Sequence, residues 1–258
     1  MSILSAVKKT INYSEKYGGK LTKKQLFERL ISNKVYKKEE INSLNPSVLW
    51  TSPFDKRETF AKQKTKKAKQ LAKLIENKFK DILFLGVTGS VAAEYPKKND
   101  DIDLIIITRK NKLWLNRFKL RWFIFKNKIP HRKYGQKENR DEFCFNLWLD
   151  ENNLLLPKNR QNLQNAIDLI LMKPLINKSK IYKKFIIVNS WAKKWVATGY
   201  ASKISDVRCQ MSDKKISDVR FQMSDKIINW LMFWPQFWYM KKRIKKEKIN
   251  LHQAFFHR

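Results

Sequence analysis

Residues 83–108 read LFLGVTGSVAAEYPKKNDDIDLIIIT, and this stretch decides how the rest of the chain is read. Leu83 to Val87 is a short apolar run, broken by Gly86, Gly89 and Ser90. Ile102 and Leu104 to Ile107 form a second, β-branched run that ends at Thr108. The pattern predicts strand, glycine turn, short helix and second strand. Asp101 and Asp103 sit at the mouth of that second strand. Side chains two apart on a strand share a face, so these carboxylates stand side by side and repel each other. A divalent cation relieves that repulsion, and an oxygen-rich site suits Mg²⁺ or Mn²⁺. Glycine at position 89 lets backbone N–H groups approach a phosphate closely. The plainer alternative is an Asp pair capping an ordinary strand beside a glycine turn.

Gly89-Ser90, ten residues, then Asp101-Ile102-Asp103-Leu104 resembles the signature of the polymerase-β-like nucleotidyltransferases. The resemblance implies two-metal nucleotidyl transfer from an NTP. Asp101 and Asp103 would carry the metals, and Gly89 and Ser90 would hold the triphosphate. It also implies an α/β fold with a nucleotidyltransferase-like mixed sheet and flanking helices. The layout further resembles a group of uncharacterised bacterial nucleotidyltransferase-domain proteins that end in a Trp-Tyr-Met…Ala-Phe-Phe-His segment. Here that segment is Trp238-Tyr239-Met240 and Ala254-Phe255-Phe256-His257.

Phe143 to Leu149, FCFNLWL, reads as a third main strand. In the family a third carboxylate stands in such a strand, facing the Asp pair. The matching position here is Asn146, which is uncharged and a poor general base. By strand alternation Glu142, Asn146 and Asp150 share one face. Asp150 is roughly 13 Å further along and reaches the metals only in a shifted register. A catalytically weak or inactive nucleotidyltransferase-fold protein that binds RNA or DNA is therefore the rival reading.

Outward from this core, residues 1–57 read as a winged-helix-like module. Leu4, Val7 and Ile11 mark a first helix that Gly18-Gly19 ends. Thr22 and Gln25 form a capping-box pattern for a second. A third spans about Lys37 to Leu44, followed by the Asn45-Pro46 turn and a short strand, Val48 to Thr51. A basic helix from Arg57 to Lys80 leads into the core, 58–150, with Lys62, Lys64, Lys66, Lys67, Lys69 and Lys73 along it. Solvation of such a stripe is the ordinary expectation. In LWLNRFKLRWFIF, 113–125, Trp114, Phe118, Trp122 and Phe125 recur at helical spacing with Arg117, Lys119 and Arg121 between them. Packing against the sheet is the ordinary expectation for those aromatics. Contact with a membrane surface or with bases is the alternative.

The region 151–258 reads as helical. It contains a duplicated insertion at 204–227, where ISDVRCQMSDKK is followed by ISDVRFQMSDKI. Two copies are too few for a solenoid, so an exposed, tolerated insertion is expected. Ile227 to Met240 reads as a core helix kinked or broken before Pro235, and a basic run from Lys241 to Lys248 follows it.

The composition sets wider bounds. With 258 residues and 43% hydrophobic content the chain can bury a substantial core, which excludes disorder throughout. A net charge of +33 points to a polyanionic partner such as RNA, DNA or a nucleoside triphosphate. Biased Lys, Asn and Ile usage is another source of such a charge. Cys144 and Cys209 are the only cysteines, too few for a disulfide framework or a zinc cluster, and a reducing cytoplasm fits. The first twenty residues, interrupted by lysines, lack a signal-peptide core. No apolar run reaches the length of a membrane span. The composition leaves the base, the acceptor and the oligomeric state open.

Overall fold

A computed structural model describes residues 2–44, 56–133, 136–209, 223–241 and 249–256. Its centre is a five-stranded mixed sheet with helices on both faces. The strands are β1 (Ile82–Val87), β2 (Ile102–Thr108), β3 (Phe143–Asp150), β4 (Lys173–Asn177) and β5 (Gln253–Phe255), in the order β4-β1-β2-β3-β5. Only β2 and β3 run parallel; the other neighbouring pairs are antiparallel. The three strands expected from the sequence are thus adjacent. β1 and β2 are buried along nearly their whole length, which explains why both read as continuous apolar runs.

The helices are α1 (Ile3–Lys16), α2 (Lys23–Glu28), α3 (Lys38–Asn42), α4 (Lys56–Lys78), α5 (Gly89–Ala92), α6 (Leu113–Lys126), α7 (Leu163–Leu171), α8 (Ile181–Val188), α9 (Lys193–Cys209) and α10 (Met223–Lys241). α4, α6 and α10 cover one face of the sheet; Ile75, Trp114 and Phe233 pack there with Leu104, Ile106 and Trp148. α7, α8 and α9 cover the other, where Ile170, Phe185 and Val196 meet Phe84, Ile105 and Ile107. α1 to α3 enclose a separate small core around Val7, Leu26, Leu30 and Ile41.

The Thr22–Gln25 capping box forms as the sequence predicts and starts α2. Gly18 stands at φ +72°, which suits the end of α1. The predicted strand at Val48 to Thr51 lies outside the described residues, as do 210–222 of the duplication and 242–248 of the basic run. α2 docks on the rest of the chain through Arg29, which is buried and donates to the Ala93 carbonyl at 2.9 Å, and through Gln25, which donates to Glu94 at 2.9 Å. The helical module therefore leans on the turn that carries Gly89.

Several expectations change. Residues 151–200 are not all helical, because β4 joins the sheet edge beside β1. Pro174 sits in that strand, and an edge is where a strand tolerates proline. Leu4 is exposed, whereas Val7 is buried as expected and Ile11 packs against the small core; α1 also buries Ala6, Thr10 and Ser14. α10 continues through Pro235 rather than breaking before it. Lys64 is not solvated. It is 2% exposed and donates to the carbonyls of Lys98 and Asp100 and to Asp141 Oδ1, at 3.3, 2.6 and 2.8 Å. It ties α4 to the loop that leads into Asp101. Among the described residues no helix is long and apolar enough to cross a membrane.

Candidate functional site

Antiparallel pairing of β1 and β2 builds the site. Val87 pairs with Leu104, so the next residue of β1's exit lies beside Asp103. The Thr88 N–H donates to the Asp103 carbonyl at 3.0 Å. Gly89 follows in the left-handed region, φ +63°. A Cβ at position 89 would stand 2.5 Å from Asp103 Oδ2. Glycine is required there twice over, for its backbone angle and for the carboxylate that lies against it. Hence the Gly-Ser turn and the Asp pair, ten residues apart in the chain, are in contact in the fold.

Asp101 and Asp103 come together as strand alternation predicts. Their carboxylate oxygens and the Cys144 sulfur all lie within 4.8 Å of one another. Asp101 is buried, and Arg132 Nη1 donates to its Oδ2 at 3.0 Å. Burial pushes Asp101 above the usual carboxylate range, and Arg132 opposes that push. Burial, Asp101 and Asp168 together raise Asp103 to about 7, while a hydrogen bond from the Cys144 thiol opposes the rise. Cys144 is itself held protonated, by burial and by the two carboxylates. The groups that could hold a cation here are thus the two carboxylates, with the Cys144 sulfur beside them.

Ser90 does not direct its hydroxyl into open space. Its Oγ donates to Asp100 Oδ2 at 3.0 Å, and the Lys97 N–H meets the same oxygen at 2.9 Å. This pair of bonds fastens the 97–100 loop to the glycine turn.

Asn146 reaches the site and Asp150 does not. Asn146 Nδ2 lies 3.4 Å from Asp103 Oδ1. The β2–β3 register slips between Leu104–Phe145 and Ile105–Leu147, which makes Asn146 the extra residue of a bulge. Beyond the bulge the alternation inverts: Leu147 and Leu149 face the α7–α9 side while Trp148 faces the α6 side. Asp150 therefore falls on the opposite face from Asn146, which corrects the shared face that unbroken alternation predicts. It pairs with Thr108 at the far end of β2, and His252 Nδ1 meets its Oδ2 at 2.6 Å. Glu142 stays at the near end, where its carboxylate accepts from Asn139 at 3.3 Å.

A further carboxylate, Asp168, lies outside the motif that marks the other site residues. It projects from α7, and the Gly89 backbone N–H is directed at it. Burial raises its carboxyl to about 7. It lines a cleft of about 530 Å³ with Gly89, Ser90, Tyr13, Tyr17 and Tyr95. It also lines a smaller cavity of about 70 Å³ with Thr88, Asn146 and Arg160. One signal was present: Asp168 is the lone charge in Ala166-Ile167-Asp168-Leu169-Ile170-Leu171, a place where an unpaired carboxylate is costly. Arg132 was equally hidden, in a segment that reads as a polar loop.

The site thus combines three carboxylates, two of them raised to about 7, with a glycine turn; of the three, Asp168 lines the open cleft walled partly by α1. Compared with family models, curated proteins and solved structures, the chain finds no match in any of the three.

Proposed function

We propose that this protein is a divalent-metal-dependent nucleotidyltransferase that moves a nucleoside monophosphate from an NTP to an acceptor hydroxyl. The observation that carries the reading is the contact between Asp103 and Gly89, with Asp101 beside Asp103 and the Gly89 N–H directed at Asp168. The five-stranded mixed sheet supports a nucleotidyltransferase-like core, and α1 to α3 support the helical part of a winged-helix-like module in 1–57. A cytoplasmic setting, where nucleoside triphosphates are abundant, fits the two-cysteine composition.

Asp101 and Asp103 would hold Mg²⁺ or Mn²⁺. A cation bound there neutralises charge that builds on the triphosphate and on departing pyrophosphate. Gly89 and Ser90 would place their backbone beside the phosphates, and a base in the cleft would meet Tyr13, Tyr17 and Tyr95, which line it. The acceptor oxygen attacks the α-phosphorus as its proton passes to Asp168. A new O–P bond forms, the bond from the α-phosphorus to the α–β bridging oxygen breaks, and pyrophosphate leaves with the electron pair. A carboxylate titrating near 7 suits that proton transfer at neutral pH. Asp168 thus fills the role that Asn146 lacks the charge for, while Asn146 orients Asp103 through its amide.

The rival reading, a weak or inactive nucleotidyltransferase-fold protein that binds RNA or DNA, has one observation in its favour. Arg132 already neutralises Asp101 from within the chain. Calorimetric titration with each NTP, with and without Mg²⁺, separates the two. The enzyme reading expects Mg²⁺-dependent NTP binding that the Asp101→Asn/Asp103→Asn double variant abolishes. RNA binding without Mg²⁺, together with no NTP affinity under any condition, would overturn it.

A further inference from the structure

α10 is apolar all round, yet one side of it faces solvent. From Ile227 to Met240 it carries no charged residue. Asn229, Phe233 and Met240 are buried against α6 and the sheet. The opposite side shows Ile227, Trp230, Leu231, Trp234 and Trp238, and Trp238 is 63% exposed. These positions recur at helical spacing and form a continuous stripe. A helix that is apolar all round is normally covered on all sides, and a large exposed apolar patch marks an interaction surface. α6, beside it, adds a second such row. Its Phe118, Trp122 and Phe125 are 49, 63 and 74% exposed, contrary to the core packing that their spacing suggests. Between the two helices runs a groove of about 630 Å³.

The charge around this surface is of one sign. Lys119, Lys126, Lys128 and Lys133 are exposed, and Arg121 lines the groove. None of the five pairs with a carboxylate among the described residues. Asp225, the acidic residue of α10, is taken up by Lys112. Arg117, under the groove, is 4% exposed and has neutral partners, Gln236 and Met240. Burial lowers its pKa, and Arg121 lowers it further. A buried cation without a counter-charge favours an anion nearby.

We propose that the α6–α10 face docks on an anionic lipid surface. The occupant must offer both negative charge and apolar depth. A second copy of this chain offers the apolar part but brings its own cations against these. Single-stranded nucleic acid offers charge and stacking, but the aliphatic Ile227 and Leu231 give a base no ring to stack on. A bilayer interface with acidic headgroups meets every element: tryptophans and aliphatics enter the headgroup boundary while lysines and arginines stay at phosphate level. This is attachment to one leaflet, in keeping with the described helices, none of which is long and apolar enough to cross a membrane. It does not depend on the proposed transferase activity, since none of these residues belongs to that site.

The test uses the full chain and vesicles of equal parts phosphatidylglycerol and phosphatidylcholine, with pure phosphatidylcholine vesicles as the control. Tryptophan emission should shift to the blue and the protein should co-sediment with the acidic vesicles, not with the neutral ones. Raising the salt should weaken the binding. Lys119→Gln and Lys126→Gln should each lower affinity by about fivefold. Trp122→Ala with Trp238→Ala should abolish most of the emission shift, and an unchanged circular dichroism spectrum shows that this variant is folded. Three results would overturn the proposal. The wild-type chain fails to bind acidic vesicles. It binds an oligouridylate through Trp122 and Trp238 while ignoring vesicles. Or it forms a dimer that shields those tryptophans.

Discussion

Replacing Asp168 by asparagine removes one of two carboxyls that the fold holds near neutrality, while keeping an acceptor for the Gly89 N–H. Asp103 and Asp168 are each pushed from 3.8 to about 7, mainly by burial. A raised folded-state value means that the folded chain keeps a proton the unfolded chain has lost. Folding stability therefore falls as pH rises from about 4 towards 7, and levels off above that. One pKa unit corresponds to about 1.4 kcal/mol, so an isolated group shifted this far costs on the order of 4 kcal/mol at pH 8. Both groups are partly solvated, which discounts that figure, so about 2 kcal/mol is the expected gain from Asp168→Asn. For a chain of this size that is roughly 4–8 °C in melting temperature at pH 8 in EDTA, with little difference at pH 4. The same protons oppose a cation. A carboxyl titrating at 7 is about one-tenth ionised at pH 6 and nine-tenths at pH 8, so Asp103, the raised carboxyl of the metal pair, contributes about tenfold to the pH dependence of Mn²⁺ affinity. Calorimetry should show a rise of about tenfold from pH 6 to pH 8 in the wild type and a smaller one in Asp168→Asn, where Asp103 has lost a neighbour that raises it. A variant that melts at or below the wild type at pH 8 in EDTA would refute the reasoning. So would a wild-type Mn²⁺ affinity that does not change with pH.

Three further outcomes are expected. Gly89→Ala should lower the melting temperature and abolish Mg²⁺-dependent NTP binding, because its Cβ would meet Asp103 Oδ2 at 2.5 Å on a backbone at φ +63°; a variant that binds NTP normally contradicts the described turn. Asn146→Asp places a fourth carboxylate beside Asp103 and should raise Mn²⁺ affinity about tenfold at pH 8 while lowering stability in EDTA; unchanged metal affinity would put residue 146 outside the site. Lys64→Met strips Asp141 and the Lys98 and Asp100 carbonyls of their buried cation and should cost about 3–5 kcal/mol in urea unfolding; a loss below about 1 kcal/mol would mean that Lys67 and Arg140 sustain Asp141 without it.

The core of the site was legible along the chain because it is local. An apolar run, a β-branched run, a glycine turn and an Asp-x-Asp lie within residues 83–108, and one antiparallel pairing brings them into contact. Alternation, glycine's left-handed angle and the capping box are short-range effects, so a linear pattern encodes them. What the linear pattern misplaced depended on partners far along the chain. β4 and β5 are short strands that exist because a sheet edge was open to them, and nothing in Lys173–Asn177 announces that edge. The bulge at Asn146 turns Asp150 to the other face, and a one-residue slip leaves no mark on composition. Asp168 belongs to the site because α7 packs over the glycine turn, and Trp122 and Trp238 face solvent because α6 and α10 spend their buried sides on each other and on the sheet. Periodicity states how many faces of a helix are apolar. Which face finds a neighbour is settled by the other elements competing for the same core.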